Sequence, residues 1–219
     1  MNRTKLIASA AVAALGMATV VGSIATADPA KDAKPAAAKE EMKLPPGMTA
    51  EDMQAFAAAS TPGKMHEHLM RDAGTWEGKN SMWMGPDATE PVASTSTTKI
   101  TPIMDGRFIQ VEASGDMPGM GPYKGLGLYG YDNAGQKFVS TWVDNMATGM
   151  MTGTGELSSD GKTLTWNYTT TCAITKKPVA VRQVETITGE NTKTLEMWGP
   201  DPKSGKEFKM MRIEMTRKS

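Results

Sequence analysis

The sequence predicts a mainly β protein: one antiparallel, up-and-down closed barrel of about ten strands, entered through a short helical segment. Three observations carry this prediction. After Gly74 the chain becomes a series of strand-like runs broken by turn signals, with no further helical pattern. The turns are explicit: Asp105-Gly106 and Asp160-Gly161 are two-residue hairpin signals, and "DNAG" (132–135), "GEN" (189–191) and "DPKSG" (201–205) are longer ones. Some runs alternate cleanly, with Leu164, Trp166 and Tyr168 on one face of 163–169 and Met211, Ile213 and Met215 together in 209–217. Short links between consecutive strands require antiparallel pairing. Closure into a barrel removes the exposed edges that an open sheet would leave.

The elements follow in order. Asn2, Arg3 and Lys5 form a basic head, 6–21 is apolar and Ala-rich, and Ala25-Thr26-Ala27 is a small-x-small site, so residues 1–27 read as a signal peptide for the general secretory route. Periplasmic or extracellular residence follows, with no membrane attachment after cleavage. Residues 28–48 are rich in Ala, Lys and Pro and read as a flexible tether. Residues 49–73 form a helical segment. Thr49 is an N-cap, Glu51 and Asp52 favour the first turn, and Pro62 opens a second helix whose apolar face is Met65 and Leu69 and whose stop is Gly74. Residues 74–219 are the barrel domain. Its expected strands are 76–84, 91–103, 107–115, 123–131, 137–145, 150–157, 163–171, 179–188, 192–198 and 207–217.

Charge and cysteine content exclude several classes. Loss of Arg3 and Lys5 with the leader takes the 24 basic residues to 22 against 24 acidic, a net charge of −2. No basic stripe remains for nucleic acid. The single Cys172 has no intrachain partner and reads as a small buried hydrophobe.

The stretch "GTW" (74–76) adds a resemblance. A helix that ends in glycine and delivers a tryptophan into the first strand resembles the opening of lipocalin-type barrels. This implies that Trp76 plugs the closed end and that an arginine of the last strand, Arg212 or Arg217, lies across it. More of the chain, about residues 61–218, resembles the bacterial family known as domain of unknown function 1579. The resembling blocks are "TPGKMHEHLMRDAGTW", "MDGRFIQVEASG", "YKGLGLYGYDNAGQKFVSTWVDNMATGMM", "KTLTW", "VRQVETIT", "LEMW" and "GKEFKMMRIEMTRK". "TTTCAITKKP" (169–178) departs from the pattern. The resemblance implies a calycin-like barrel and carries no chemistry with it.

Four features of the sequence could carry chemistry. His66 and His68 are the two histidines, and two-residue spacing sets them about 200° apart on a helix, unable to share a metal; His66 is expected to cap or pack against the barrel's end. Methionine is abundant, 19 residues, and "MWM" (82–84), "MPGM" (117–120) and "GMM" (149–151) resemble soft copper(I) sites, with Met117 and Met120 the best location. Leucine is scarce, so the same methionines serve equally as core residues. A polar interior is the third: Gln110, Glu112, Tyr129, Trp142, Asp144, Arg182, Glu196 and Trp198 are candidates to line a lumen with aromatic walls and a few polar groups. The competing reading has them facing solvent, or has Arg182 paired with Glu112 or Asp144, because alternation tells which residues share a face and not which face is inside. Fourth, the glycines of "GLGLYG" (125–130) alternate along a strand and do not open a helix, so they permit curvature or make room for a bulky neighbour.

The expected function is binding of a small apolar or amphipathic ligand in the barrel, with no cofactor required. Copper(I) binding through methionine is one alternative. An enzyme using Asp144 or Glu112 as a buried acid or base is another; no second catalytic group is identifiable, so the reading leans away from catalysis.

Overall fold

The computed structural model describes residues 45–218. The leader and the tether expected over 1–27 and 28–48 lie outside the described residues, apart from the last four positions of the tether. Two short helices precede the sheet, α1 (Ala50–Ser60) and α2 (Lys64–Met70). Ten strands follow: β1 (Gly74–Met82), β2 (Val92–Ile103), β3 (Phe108–Met117), β4 (Gly121–Asp132), β5 (Lys137–Asp144), β6 (Met151–Leu157), β7 (Thr163–Thr171), β8 (Pro178–Gly189), β9 (Thr192–Pro200) and β10 (Glu207–Arg217). Each pairs antiparallel with the next, and β1 pairs with β10 from Trp76↔Arg217 to Met82↔Met211, closing the barrel. No helix among the described residues is long and apolar enough to cross a membrane.

Local chemistry explains the helices. Thr49 and Asp52 form a reciprocal capping box at the start of α1. No residue of α1 is buried; Asn133, in the β4–β5 turn, ties its end down by donating to the carbonyls of Ala58, Ala59 and Thr61. By contrast, α2 buries His66 and Leu69 and packs against β3 and β4. Gly74, at φ +128°, then turns the chain from α2 into β1.

Strand bounds depart from expectation mainly at the end of the barrel away from α2. There β3 and β4 zip together until Met117 pairs with Gly121. The "MPGM" stretch is therefore a strand end plus a three-residue turn, with Gly119 and Gly121 both in the left-handed region. Cys172 is a correction. It lies in the β7–β8 turn as a partly exposed free thiol, and hydrogen bonds from Thr175 and Ile174 hold its pKa below the usual thiol range. The Cys172 backbone closes the turn, with its N–H donating to the Lys177 carbonyl and its carbonyl accepting from the Lys176 N–H, and a turn on the barrel rim sets its side chain toward water.

Candidate functional site

The α2 end of the barrel is closed. Trp76 is 2 % exposed, and its indole N–H donates to the Asp72 carbonyl at 2.9 Å. The Arg217 guanidinium lies 4.3 Å from the Trp76 ring centroid and donates to the carbonyls of Ala73 and Arg71, locking the last strand to the chain that leaves α2. Beside it sits Lys193, 5 % exposed, 2.7 Å from Asp72 and 3.6 Å from Glu185. Burial works to lower its pKa, but the two carboxylates and their hydrogen bonds outweigh that and raise it. Glu185 also accepts from Trp166 Nε1 at 3.1 Å and from Gln183 Nε2 at 2.9 Å. No buried side-chain polar atom among the described residues lacks a partner.

Above this floor is an aromatic plug. Phe138, Trp166 and Tyr168 are almost wholly buried, and Tyr129 is 8 % exposed. Trp166 meets Tyr129 edge-on at 5.2 Å and stacks with Tyr168 at 5.9 Å. The rings fit because the neighbouring strand has glycine opposite them. A Cβ on Gly153 would come within 2.4 Å of Tyr168, and one on Gly155 within 2.8 Å of Trp166. Gly125 and Gly127 make the same room for Trp142 on β5, the second of the two roles expected for those glycines.

Beside the plug a cavity of about 460 Å³ runs from the floor at Leu69, Asp72 and Lys193 to the open far end. Its walls carry Met82, Met151, Met197 and Met211, together with Val111 and Ile213. A β-bulge in β10 turns the consecutive Met210 and Met211 both toward it. One wall is polar: Asn80 donates to Ser94 at 3.1 Å and accepts from Ser96 at 3.0 Å. At the mouth, Trp142 Nε1 donates to the Tyr123 hydroxyl at 3.1 Å, and Asp144 accepts from the Met146 backbone at 2.9 Å. Burial first, and then the Asp144 charge, push the Tyr123 phenol up to about 12.

A sequence profile for the family described as "Protein of unknown function (DUF1579)" matches residues 61–217. The chain belongs to this family. Among solved structures, it is similar to the S-type phycobiliprotein lyase CPES from Guillardia theta, at 12% identity and a TM-score of 0.49, covering 72% of this chain and 94% of that one. It is also similar to a redesigned β-barrel, at 12% identity and a TM-score of 0.39, covering 72% of this chain and all of the other. None of the curated proteins matches the chain. The DUF1579 chain thus has the closed, ten-stranded antiparallel barrel that its sequence led one to expect.

Of the eight lumen candidates, Tyr129, Trp142 and Asp144 line the interior of this DUF1579 barrel. The other five are corrections. Gln110 and Glu112 face outward, because the alternate set on β3, Ile109, Val111 and Ala113, is wholly apolar and takes the lumen. Glu112 is exposed, so it is not the buried acid considered for catalysis. Arg182, Glu196 and Trp198 also face outward. Arg182 stacks on Trp198 at 4.1 Å and pairs with Glu207 at 3.8 Å, and not with Glu112 or Asp144. Glu196 bonds Lys209 and Arg212. Arg212 is therefore an outer-face residue, and Arg217 covers Trp76. Met117 lines the mouth, while Met120 is 62 % exposed on the turn above it. His66 accepts from the Gly63 N–H at 3.1 Å and meets Tyr131 edge-on, capping α2 against the barrel as expected. His68 turns instead toward Phe138, and burial, followed by the nearby Arg71, lowers its pKa.

Sequence reasoning missed Lys193, Asp72, Asn80 and Tyr123. A signal existed for two of them. Lys193 shares a strand face with Leu195 and Met197, and Asn80 shares one with Trp76 and Met82. A charged or amide group in an otherwise apolar stripe marks a buried partner or a pocket. Asp72 and Tyr123 gave none, since each gains its role only from the closure of the barrel.

Proposed function

We propose that this DUF1579 protein binds a small apolar or amphipathic molecule inside the barrel. The observation that carries the reading is the cavity of about 460 Å³, within the range of small-molecule sites, with flexible thioether walls and few polar groups. Methionine side chains adapt to an irregular apolar shape at little cost. The Asn80–Ser94–Ser96 cluster offers a hydrogen-bonding wall beside them. The basic head and apolar run before Ala27 support an exported location for this binding.

Native mass spectrometry of protein purified from its host tests the reading, together with uptake of the neutral probe N-phenyl-1-naphthylamine. The expected results are a non-covalent adduct and probe fluorescence, both lost in an Ala113→Trp variant that stays folded but fills the lumen. An apo spectrum with no probe uptake overturns it.

One observation favours copper(I) as a second reading. Met82, Met211 and Met197 are register neighbours on β1, β10 and β9 and face the same cavity, and thioethers prefer that ion. An anaerobic copper(I) titration against a chromophoric chelator tests it. Unchanged competition in the Met82→Leu/Met197→Leu/Met211→Leu variant would sink it.

A further inference from the structure

The barrel mouth holds an arrangement that the apolar cavity alone does not explain. Trp142 and Asp144 alternate on β5 and both line the cavity. Their register partners on β4 are Gly127 and Gly125. The Trp142 ring lies flat across that glycine pair: a Cβ on Gly125 would be 2.2 Å from its Cζ2, and one on Gly127 would be 2.7 Å from its Cε3. One face of the indole is thus packed on backbone, and the other is left toward the lumen. The indole N–H is already given to the Tyr123 hydroxyl at 3.1 Å, so the ring offers a ligand its π face and no donor.

Asp144 stands beside that face. Its Oδ1 accepts from the Met146 backbone N–H, and among the described residues the carboxylate makes no ion pair. The basic side chains that line the cavity, Lys162 and Lys193, are at the opposite, α2 end, and Lys193 is committed to Asp72 and Glu185. The mouth is therefore negative. The Tyr123 phenol, held up to about 12 by burial and by Asp144, stays protonated there and hydrogen-bonds the carboxylate without neutralising its charge. A half-buried carboxylate next to an open indole face, above an apolar cavity, favours a cation that satisfies the charge and the ring together. An anionic head would meet Asp144 on entry. A neutral head would desolvate the carboxylate without pairing it.

Resting on the lumen-binding reading, we propose that the ligand is a cationic amphiphile: its ammonium group sits at the mouth between Asp144 and the open face of Trp142, and its apolar chain runs down past Met82, Met151 and Met211.

The test uses the intact protein and three probes of equal chain length below their micelle concentrations: dodecyltrimethylammonium, dodecanol and dodecanoate. Each is titrated to displace N-phenyl-1-naphthylamine. The cationic chain should bind at least about tenfold tighter than the neutral one, with the carboxylate weakest. Asp144→Asn, isosteric and uncharged, should abolish that preference by weakening the cationic chain and relieving the neutral one. Equal binding of the three chains by the unaltered protein overturns the inference whether or not the variant folds, and leaves lumen binding intact. A cation preference that survives Asp144→Asn also overturns it. If the probe binds and none of the three displaces it, this inference fails and lumen binding stands; if the probe itself is not taken up, lumen binding fails, and this inference with it.

Discussion

Two sides of the barrel interior differ in what fills them. On the β5–β7 side, Phe138, Trp166 and Tyr168 are almost wholly buried, and Trp166 and Tyr168 pack on the glycines of β6. On the β2–β3 side, Ser94, Ser96, Ala113 and Gly115 are too small to reach across, and the methionines of β1, β9 and β10 do not close the gap. The same closed sheet thus yields a packed aromatic core on one side and, beside it, a cavity that runs from the mouth to the floor. Rigid rings interlocked with glycine give close packing. Small residues facing flexible thioethers leave room for a ligand.

The contrast can be broken by truncation on each side. Trp166→Ala should cost about 3–5 kcal/mol in urea denaturation, because a fully buried ring leaves a void and Glu185 loses a donor. Met82→Ala, at the wall of an existing cavity, should cost about 1 kcal/mol or less. Equal costs would mean that the cavity is not a feature of the folded protein.

Lys193→Met sharpens the account of the floor. It leaves Asp72 and Glu185 facing each other without their cation and should cost about 3 kcal/mol or more. The pH dependence has a definite sign. Lys193 has a folded pKa raised above 10.5, so its contribution is full below that value and is lost as pH climbs through the folded pKa. Tyr123, Tyr129 and Tyr168 are raised above 10.0, chiefly by burial, and act in the same direction. Thermal melts should therefore fall steeply above about pH 10 in the parent protein, and absorbance near 295 nm should show tyrosines that ionise only on unfolding.

Smaller effects separate the inner and outer faces. Arg217→Ala should cost about 1–2 kcal/mol, through loss of the Trp76 stack and the bonds to the α2 exit. Arg212→Ala and Glu112→Gln, on the outer face, should each stay within about 0.5 kcal/mol and leave probe uptake unchanged. A large effect at Arg212 would show that the outer ion pairs matter more to closure than the floor does.

The strand sequence, the hairpin turns and the grouping of residues by face were legible in the chain, because alternation and turn chemistry are local. On β5, the grouping of Phe138, Ser140, Trp142 and Asp144 was right, and that face lies inside. On β3 and β9 the grouping was equally right, but the side was not. Glu112, Glu196 and Trp198 looked like pocket residues, and they lie outside under neighbouring cations or in solvent. The apolar purity of Ile109, Val111 and Ala113 was the clue for β3. No such clue existed for β8, where both faces mix polar and apolar residues.

The sequence by itself determined an antiparallel barrel behind a short helical lead, since period-two patterning and turn residues act within a few positions of one another. It also determined that Trp76 stands where the first strand begins. Only the tertiary structure decided which arginine covers that tryptophan, which face of each strand turns inward, and that Lys193, Asp72 and Glu185 meet. Those outcomes depend on register around the whole closed sheet, where residues more than a hundred positions apart become neighbours at a distance set by ten successive pairings.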